Sequence, residues 1–96
     1  MTLLTAFADE RAIAERLAGE LGAPLHLVAL HRFPDGESLP IVPATSDQVV
    51  VYRSLNRPDR KLTSLLLAAD AWRRAGASRL TLVAPYLCYM RQDAVF

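Results

Sequence analysis

The sequence predicts an α/β fold, an open and mostly parallel sheet flanked by helices, equivalent to one half of a doubly wound domain. Three observations carry that expectation. Short apolar runs alternate with stretches of helical period. The run at residues 48–53 is β-branched and continuous, as in a strand covered on both faces. Pro58 and Gly76 bracket an apolar stripe with a start signal and a stop signal.

Taken in order, residues 3–7 form a short apolar run and read as the first strand. Asp9 then stands at a natural N-cap position before Ile13, Ala14, Leu17, Ala18 and Leu21, whose i, i+4, i+8 spacing makes one helix face. Gly22 ends that helix and Pro24 prevents its continuation. Residues 25–30 supply a second strand, giving a βαβ unit whose crossover should be right-handed. Arg32-Phe33-Pro34-Asp35-Gly36-Glu37 breaks the pattern with two strong punctuators. Residues 38–42 then run extended, confined to an edge or an irregular strand by Pro40 and Pro43, so this stretch reads as a hairpin-like excursion. After the strand at 48–53, Ser54-Leu55-Asn56-Arg57 is the loop at its carboxyl end. Pro58 suits the first helical position, Leu62, Leu65, Leu66, Ala69 and Trp72 keep helical spacing, and Gly76 occupies C′. Residues 79–84 make the last clear strand. The predicted order is β-α-β-β-β-α-β, with no internal repeat and no linker.

Ninety-six residues suffice for a single core, so residues 1–96 are expected to form one domain. An apolar fraction of 52% argues against disorder. No apolar run reaches the roughly 18 residues needed to cross a bilayer, and the N-terminus lacks a secretory signal. The expectation is a cytoplasmic protein with no membrane partner. The single cysteine, Cys88, cannot form an internal disulfide. A formal charge of +1, with acidic and basic residues interspersed, gives no reason to expect nucleic acid. Any recognised anion should be small. Lys61 is the only lysine among eleven basic residues, so planar, bidentate phosphate contacts from arginine are available while a catalytic lysine is hard to find.

Two histidines and one cysteine offer no zinc-ligand spacing. His26, alternating with apolar neighbours, reads as structural, His31 as structural or solvated, and Cys88 as a small buried hydrophobe. There is no G-x-G-x-x-G and no Walker lysine loop, and Gly19, Gly22, Gly36 and Gly76 are scattered. The helix opening at Pro58 follows Ser54, Asn56 and Arg57 and could receive a phosphate at its N–H groups, a feature common to α/β domains.

Two patches are sharper. In Phe33-Pro34-Asp35-Gly36-Glu37 a turn glycine holds two carboxylates beside an aromatic ring, able to stack a purine and accept hydrogen bonds from an amine or ribose hydroxyls. The plain alternative is a β-turn. In Arg91-Gln92-Asp93 a guanidinium, an amide and a carboxylate follow the most strand-like segment, where open α/β sheets bind ligands. The alternative there is a solvated loop.

Between these two patches, Arg32-Phe33-Pro34-Asp35-Gly36-Glu37 and Val83-Ala84-Pro85-Tyr86-Leu87-Cys88-Tyr89-Met90-Arg91-Gln92-Asp93, lies Leu65-Leu66-Leu67-Ala68-Ala69-Asp70-Ala71-Trp72-Arg73-Arg74-Ala75-Gly76-Ala77-Ser78-Arg79. Together they resemble the N-terminal domain of ribose-phosphate pyrophosphokinase over essentially the whole chain. The resemblance implies a phosphoribosyltransferase-like α/β domain from a two-domain, homo-oligomeric enzyme. It also implies a Mg2+-dependent transfer of the diphosphoryl group of ATP to ribose 5-phosphate, giving phosphoribosyl pyrophosphate and AMP, with ATP at a site shared between subunits. By the same resemblance Phe33 packs on the adenine, Asp35, Gly36 and Glu37 form the base-binding loop, and Arg91 and Gln92 belong to the ATP site. Asp93 matches the motif without an assigned role.

The resemblance further implies that the metal-binding histidine, the flexible-loop lysine and the ribose 5-phosphate loop of the family lie beyond Phe96. Many relatives carry basic residues after the Arg-Gln-Asp motif, whereas this sequence has Ala94-Val95-Phe96. The chain is therefore expected to hold part of the ATP site, with no catalytic residue, no metal ligand and no acceptor site, and to be inactive alone. Two alternatives stand beside this: a noncatalytic nucleotide-binding or regulatory module that associates with a full-length homologue, and a degenerate α/β remnant with no ligand.

Overall fold

The computed structural model describes residues 2–42, 45–88 and 90. Its elements are β1 (Thr2–Phe7), a 3-10 turn (Ala8–Glu10), α1 (Arg11–Leu21), β2 (Leu25–Arg32), β3 (Ser38–Ile41), β4 (Gln48–Tyr52), α2 (Pro58–Arg74) and β5 (Arg79–Val83). The five strands form one sheet in the order β3-β2-β1-β4-β5. β1 pairs in parallel with both β2 and β4, β4 pairs in parallel with β5, and only β3 runs antiparallel, against β2. The predicted open, mostly parallel α/β sheet is thus observed.

β1–α1–β2 steps to one side of β1, and β4–α2–β5 steps to the other. Right-handed crossovers that move in opposite directions carry their helices to opposite faces, and the core divides accordingly. On one face Leu3, Phe7, Val28, Val49 and Val51 meet Leu65, Ala68 and Trp72 of α2. On the other, Ala6 and Tyr52 meet Ala14, with Leu17, Leu25 and Leu27 packed around them. The strand period of two explains the split, since Ala6 and Phe7, or Val51 and Tyr52, are neighbours that point to opposite faces. Trp72, which has no exposed surface, is the largest side chain in the core.

The local signals act largely as the sequence indicates. Gly22 closes α1 with φ 62°, its N–H bonding back to Ala18 and Gly19 carbonyls, a left-handed conformation that glycine adopts without a Cβ clash. Pro58 begins α2. Ser64, buried in the middle of α2, satisfies its hydroxyl on the Arg60 and Lys61 carbonyls at 3.0 and 3.1 Å. β2 extends two residues past the predicted end because His31 and Arg32 pair with Leu39 and Ser38 across the hairpin.

Asp9 departs from its expected role. The chain leaves β1 through a 3-10 turn, Glu10 stands at the N-cap of α1, and neither end uses a side-chain cap. The Asp9 carboxylate is drawn to Arg53 of the β4 exit, 44 residues away in sequence. The apolar stripes are also less covered than their periodicity suggests. Ile13 and Leu21 of α1 and Leu66 of α2 are exposed, and β5 is an edge strand with Leu82 and Val83 each 40% exposed.

Candidate functional site

Because β1, β2, β4 and β5 are parallel, their carboxyl ends lie on one side of the sheet. Four exits gather there: the turn after β1, the Phe33 turn after β2, the loop after β4, and the segment after β5. This is the side on which open α/β sheets bind ligands.

The Phe33 turn is built by its own backbone. The Phe33 N–H donates to the Glu37 carbonyl at 2.9 Å and the Gly36 N–H to the Phe33 carbonyl at 3.0 Å. The Glu37 N–H donates to Asp35 Oδ1 at 3.1 Å, an Asx-type closure, and Gly36 supplies the positive φ of 94° that the turn requires. Below the turn, Arg32 Nη1 donates to Ser38 Oγ at 3.3 Å. His31 meets Phe33 edge-to-face, ring centroids 4.6 Å apart. The Phe33 ring remains 41% exposed, and Asp35 and Glu37 are exposed beside it. Phe33, expected to pack on the adenine, and the Asp35 and Glu37 carboxylates of the expected base-binding loop are therefore held exposed on one closed turn.

That turn forms one wall of a cleft of about 630 Å³. Phe33, Gly36, Glu37 and Leu39 line it from the hairpin, and Arg60, Thr63 and Leu67 from α2. The α2 wall was not legible in the sequence, because it depends on β3 folding back over that helix. A cleft with apolar walls and a few polar groups suits a flat heteroaromatic ring with a polar edge.

The loop after β4 spends its polar groups on itself. The Ser54 hydroxyl and Lys61 Nζ both donate to Asn56 Oδ1, at 2.9 and 2.8 Å. The Ser54 N–H is taken by Glu10 Oε2 at 3.1 Å and the Leu55 N–H by the Tyr86 carbonyl at 2.9 Å. Arg57, at the N-cap with φ 52°, makes no side-chain cap, and Asp59 supplies a negative charge in the first turn. The loop before this helix thus offers a phosphate fewer open donors than the bare sequence suggests.

Sequence reasoning missed Arg53. Its side chain is 2% exposed, and Nη1 donates to Asp9 Oδ1 at 2.6 Å and Glu10 Oε1 at 2.9 Å. Its guanidinium carbon lies 4.1 Å from the centroid of the Phe7 ring. A charged residue ending a β-branched run was a visible oddity, but its acidic partners at the β1 exit were not.

His26 is half-buried and its carbonyl accepts a 2.7 Å bond from Thr5 Oγ1, while His31 is exposed against Phe33. Cys88 is half-buried and packs against the α2-face core. Among the described residues no group of three or more His, Cys, Asp or Glu side chains could hold a metal ion. Nor is any helix among them long and apolar enough to cross a membrane. Arg91, Gln92 and Asp93 lie outside the described residues.

Comparison with known proteins bears on the whole chain. The family model described as the N-terminal domain of ribose phosphate pyrophosphokinase matches residues 2–95. The chain is 42% identical over 86 residues to the ribose-phosphate pyrophosphokinase of Methanopyrus kandleri, covering 88% of this chain and 30% of that protein. It is 44% identical over 75 residues to the enzyme of that name from Thermococcus kodakarensis, covering 77% of this chain and 27% of that protein. The crystal structure of phosphoribosylpyrophosphate synthetase from Mycobacterium smegmatis superposes with a TM-score of 0.77 at 23% identity, covering 97% of this chain and 32% of that one, and shows the same fold. The chain thus spans about 30% of the length of the relatives it matches. Sequence and fold agree that the chain belongs to the family of ribose-phosphate pyrophosphokinase N-terminal domains.

Proposed function

We propose that this chain carries the adenine side of an ATP site, at Phe33, Asp35, Gly36 and Glu37, and contributes Arg91 and Gln92 to its phosphate side. The parent activity is that of a ribose-phosphate diphosphokinase. In that reaction the C1 hydroxyl oxygen of ribose 5-phosphate bonds to the β-phosphorus of ATP, the bond from that phosphorus to the α-phosphate oxygen breaks, and AMP leaves. The hydroxyl proton is released. The reading rests above all on one coincidence: a chain of this family holds an exposed aromatic residue and two exposed carboxylates on a closed turn beside a cleft of about 630 Å³.

The parts of the site follow from the residue chemistry. Phe33 stacks on the adenine, and Asp35 and Glu37 accept hydrogen bonds from its amine or from ribose hydroxyls. Arg91 neutralises phosphate charge with charge-assisted hydrogen bonds. Mg2+ would accompany the nucleotide, held by its phosphates rather than by residues of this chain, and would supply neutralisation of phosphate charge. Acceptor binding and the charge stabilisation that phosphoryl transfer demands belong to residues this chain does not supply. On this reading the isolated chain holds half of an ATP site, acts in the cytoplasm and does not complete the transfer alone.

Sharing of the site between copies in a homo-oligomer is part of the reading. β2, which leads to the Phe33 turn, and β5, which leads towards Arg91, are three strand spacings apart, about 14 Å. Mixing tests the sharing. Phe33→Ala and Arg91→Ala chains, each deficient in MgATP binding, should recover part of it when combined, because a mixed pair contains one intact site. Absence of recovery, with both variants folded and the native chain binding, contradicts sharing. A native chain that does not bind MgATP at millimolar concentration contradicts the reading as a whole.

A second reading, a noncatalytic module that docks on a full-length homologue, is favoured by the edge position of β5 and its exposed Leu82 and Val83. Copurification with a full-length homologue, abolished by Val83→Lys, would support it; a chain that stays monomeric beside that homologue would exclude it.

A further inference from the structure

Resting on the nucleotide site proposed above, we infer that Arg53 is a positioning residue for it: without touching ATP, it fixes the segment that leads to Arg91 and Gln92. The sheet reverses its winding between β1 and β4, and the crevice outside their carboxyl ends is where a doubly wound sheet ordinarily receives its ligand. In this chain the guanidinium of Arg53 occupies that place, lying on Phe7 and held by Asp9 and Glu10. The nucleotide is thereby directed to the flanking exits.

Glu10 closes the arrangement. One of its oxygens takes the Arg53 guanidinium and the other takes the Ser54 N–H, so a single carboxylate ties side chain and following backbone together. The backbone fixed in this way is a template. The Arg53 N–H donates to the Val83 carbonyl at 3.0 Å and the Leu55 N–H to the Tyr86 carbonyl at 2.9 Å. The donors step by two while their acceptors step by three, so β4 and the β5 exit stay joined past Tyr52 and Val83 with one residue inserted on the β5 side. The course of the β5 exit is therefore set by residues 53–55, and theirs by Glu10.

The energetics favour positioning over mere stability. Among the described residues Arg53 Nε is buried with no hydrogen-bond partner, an unfavourable state. A buried ion pair can usually be replaced by apolar side chains of similar size without loss of stability. An anchor for stability alone had a better solution available.

The test compares the native chain, Arg53→Met, the apolar double variant Arg53→Met/Glu10→Leu, and Glu10→Gln. Three readouts are taken: melting temperature, exchange of the amide hydrogens of residues 53 and 55, and MgATP affinity. Arg53→Met should lower the melting temperature because it strands Glu10. The double variant should recover part of that loss, short of what the Ser54 N–H left without its Glu10 acceptor costs, while exchange at residue 55 stays at least about tenfold faster than native and MgATP affinity stays about tenfold weaker. Native exchange and native affinity in a folded double variant would overturn the inference. If the double variant does not fold, Glu10→Gln decides: faster exchange at residue 55 supports the anchor, and native exchange with native affinity overturns it. The exchange measurement needs no nucleotide. Failure of the native chain to bind MgATP would sink the ATP reading, and with it the assignment of Arg53 to that site, while exchange would still report whether the anchor exists.

Discussion

Replacing Phe33 by alanine should separate binding from folding. The ring is 41% exposed, and its aromatic contact is one edge-to-face pair with His31 at 4.6 Å. Such a pair contributes about 0.5–1.5 kcal/mol beyond area burial. The turn itself is closed by backbone bonds that alanine retains. With the buried part of the side chain, about 1–2 kcal/mol by area, the cost to the fold should be about 1.5–3 kcal/mol, which for a domain of this size lowers the melting temperature by about 6–24 °C. Binding suffers a separate loss. Loss of an aromatic platform under a base removes about 1–3 kcal/mol, which raises the dissociation constant about 5- to 150-fold. The assay is displacement of a fluorescent ATP analogue by MgATP at a temperature where both chains are folded, with Phe33→Leu as a control that keeps bulk but loses the flat ring. Unchanged affinity in Phe33→Ala, or full affinity in Phe33→Leu, would refute the stacking argument.

Other outcomes follow from the same structure. Trp72 has no exposed surface, so Trp72→Ala should cost about 3–5 kcal/mol, a large share of the roughly 5–14 kcal/mol expected for 96 residues. Denaturant titration checks it. Gly36→Ala meets no neighbouring atom yet must hold φ near 94°, so it should cost about 1–2 kcal/mol through backbone strain alone. Because that strain sits in the Phe33 turn, MgATP affinity should fall with it. The isolated chain should form no phosphoribosyl pyrophosphate above background from MgATP and ribose 5-phosphate. A rate that disappears in Arg91→Ala would contradict that expectation.

Local signals in the sequence carried far and stopped where distant segments meet. Pro58, Gly22 and the β-branched run at residues 48–53 mark elements by backbone preference, and the structure follows them, with β4 ending one residue earlier at Tyr52. The x-Pro-Asp-Gly-x turn was legible for the same reason, since its closure lies within residues 33–37. Asp9 is the counterexample. Its position before a helix suggested a cap, but a buried arginine brought up by β4 competes for the carboxylate, and only the sheet order brings the two together. Ile13, Leu82 and Val83 make the complementary point: periodicity identifies an apolar face but says nothing about whether a neighbour covers it. The second wall of the cleft, Arg60, Thr63 and Leu67, was hidden likewise, because its meaning depends on β3 lying over α2.

The most direct test of the ATP half-site is calorimetric titration of the native chain and of Arg91→Ala with MgATP under identical conditions. The account predicts saturable binding to the native chain, at no more than one nucleotide per chain, and binding at least about tenfold weaker in a folded Arg91→Ala variant, as removal of one phosphate-paired guanidinium requires. Equal affinity in the two chains, or no saturable binding to the native one, would contradict it.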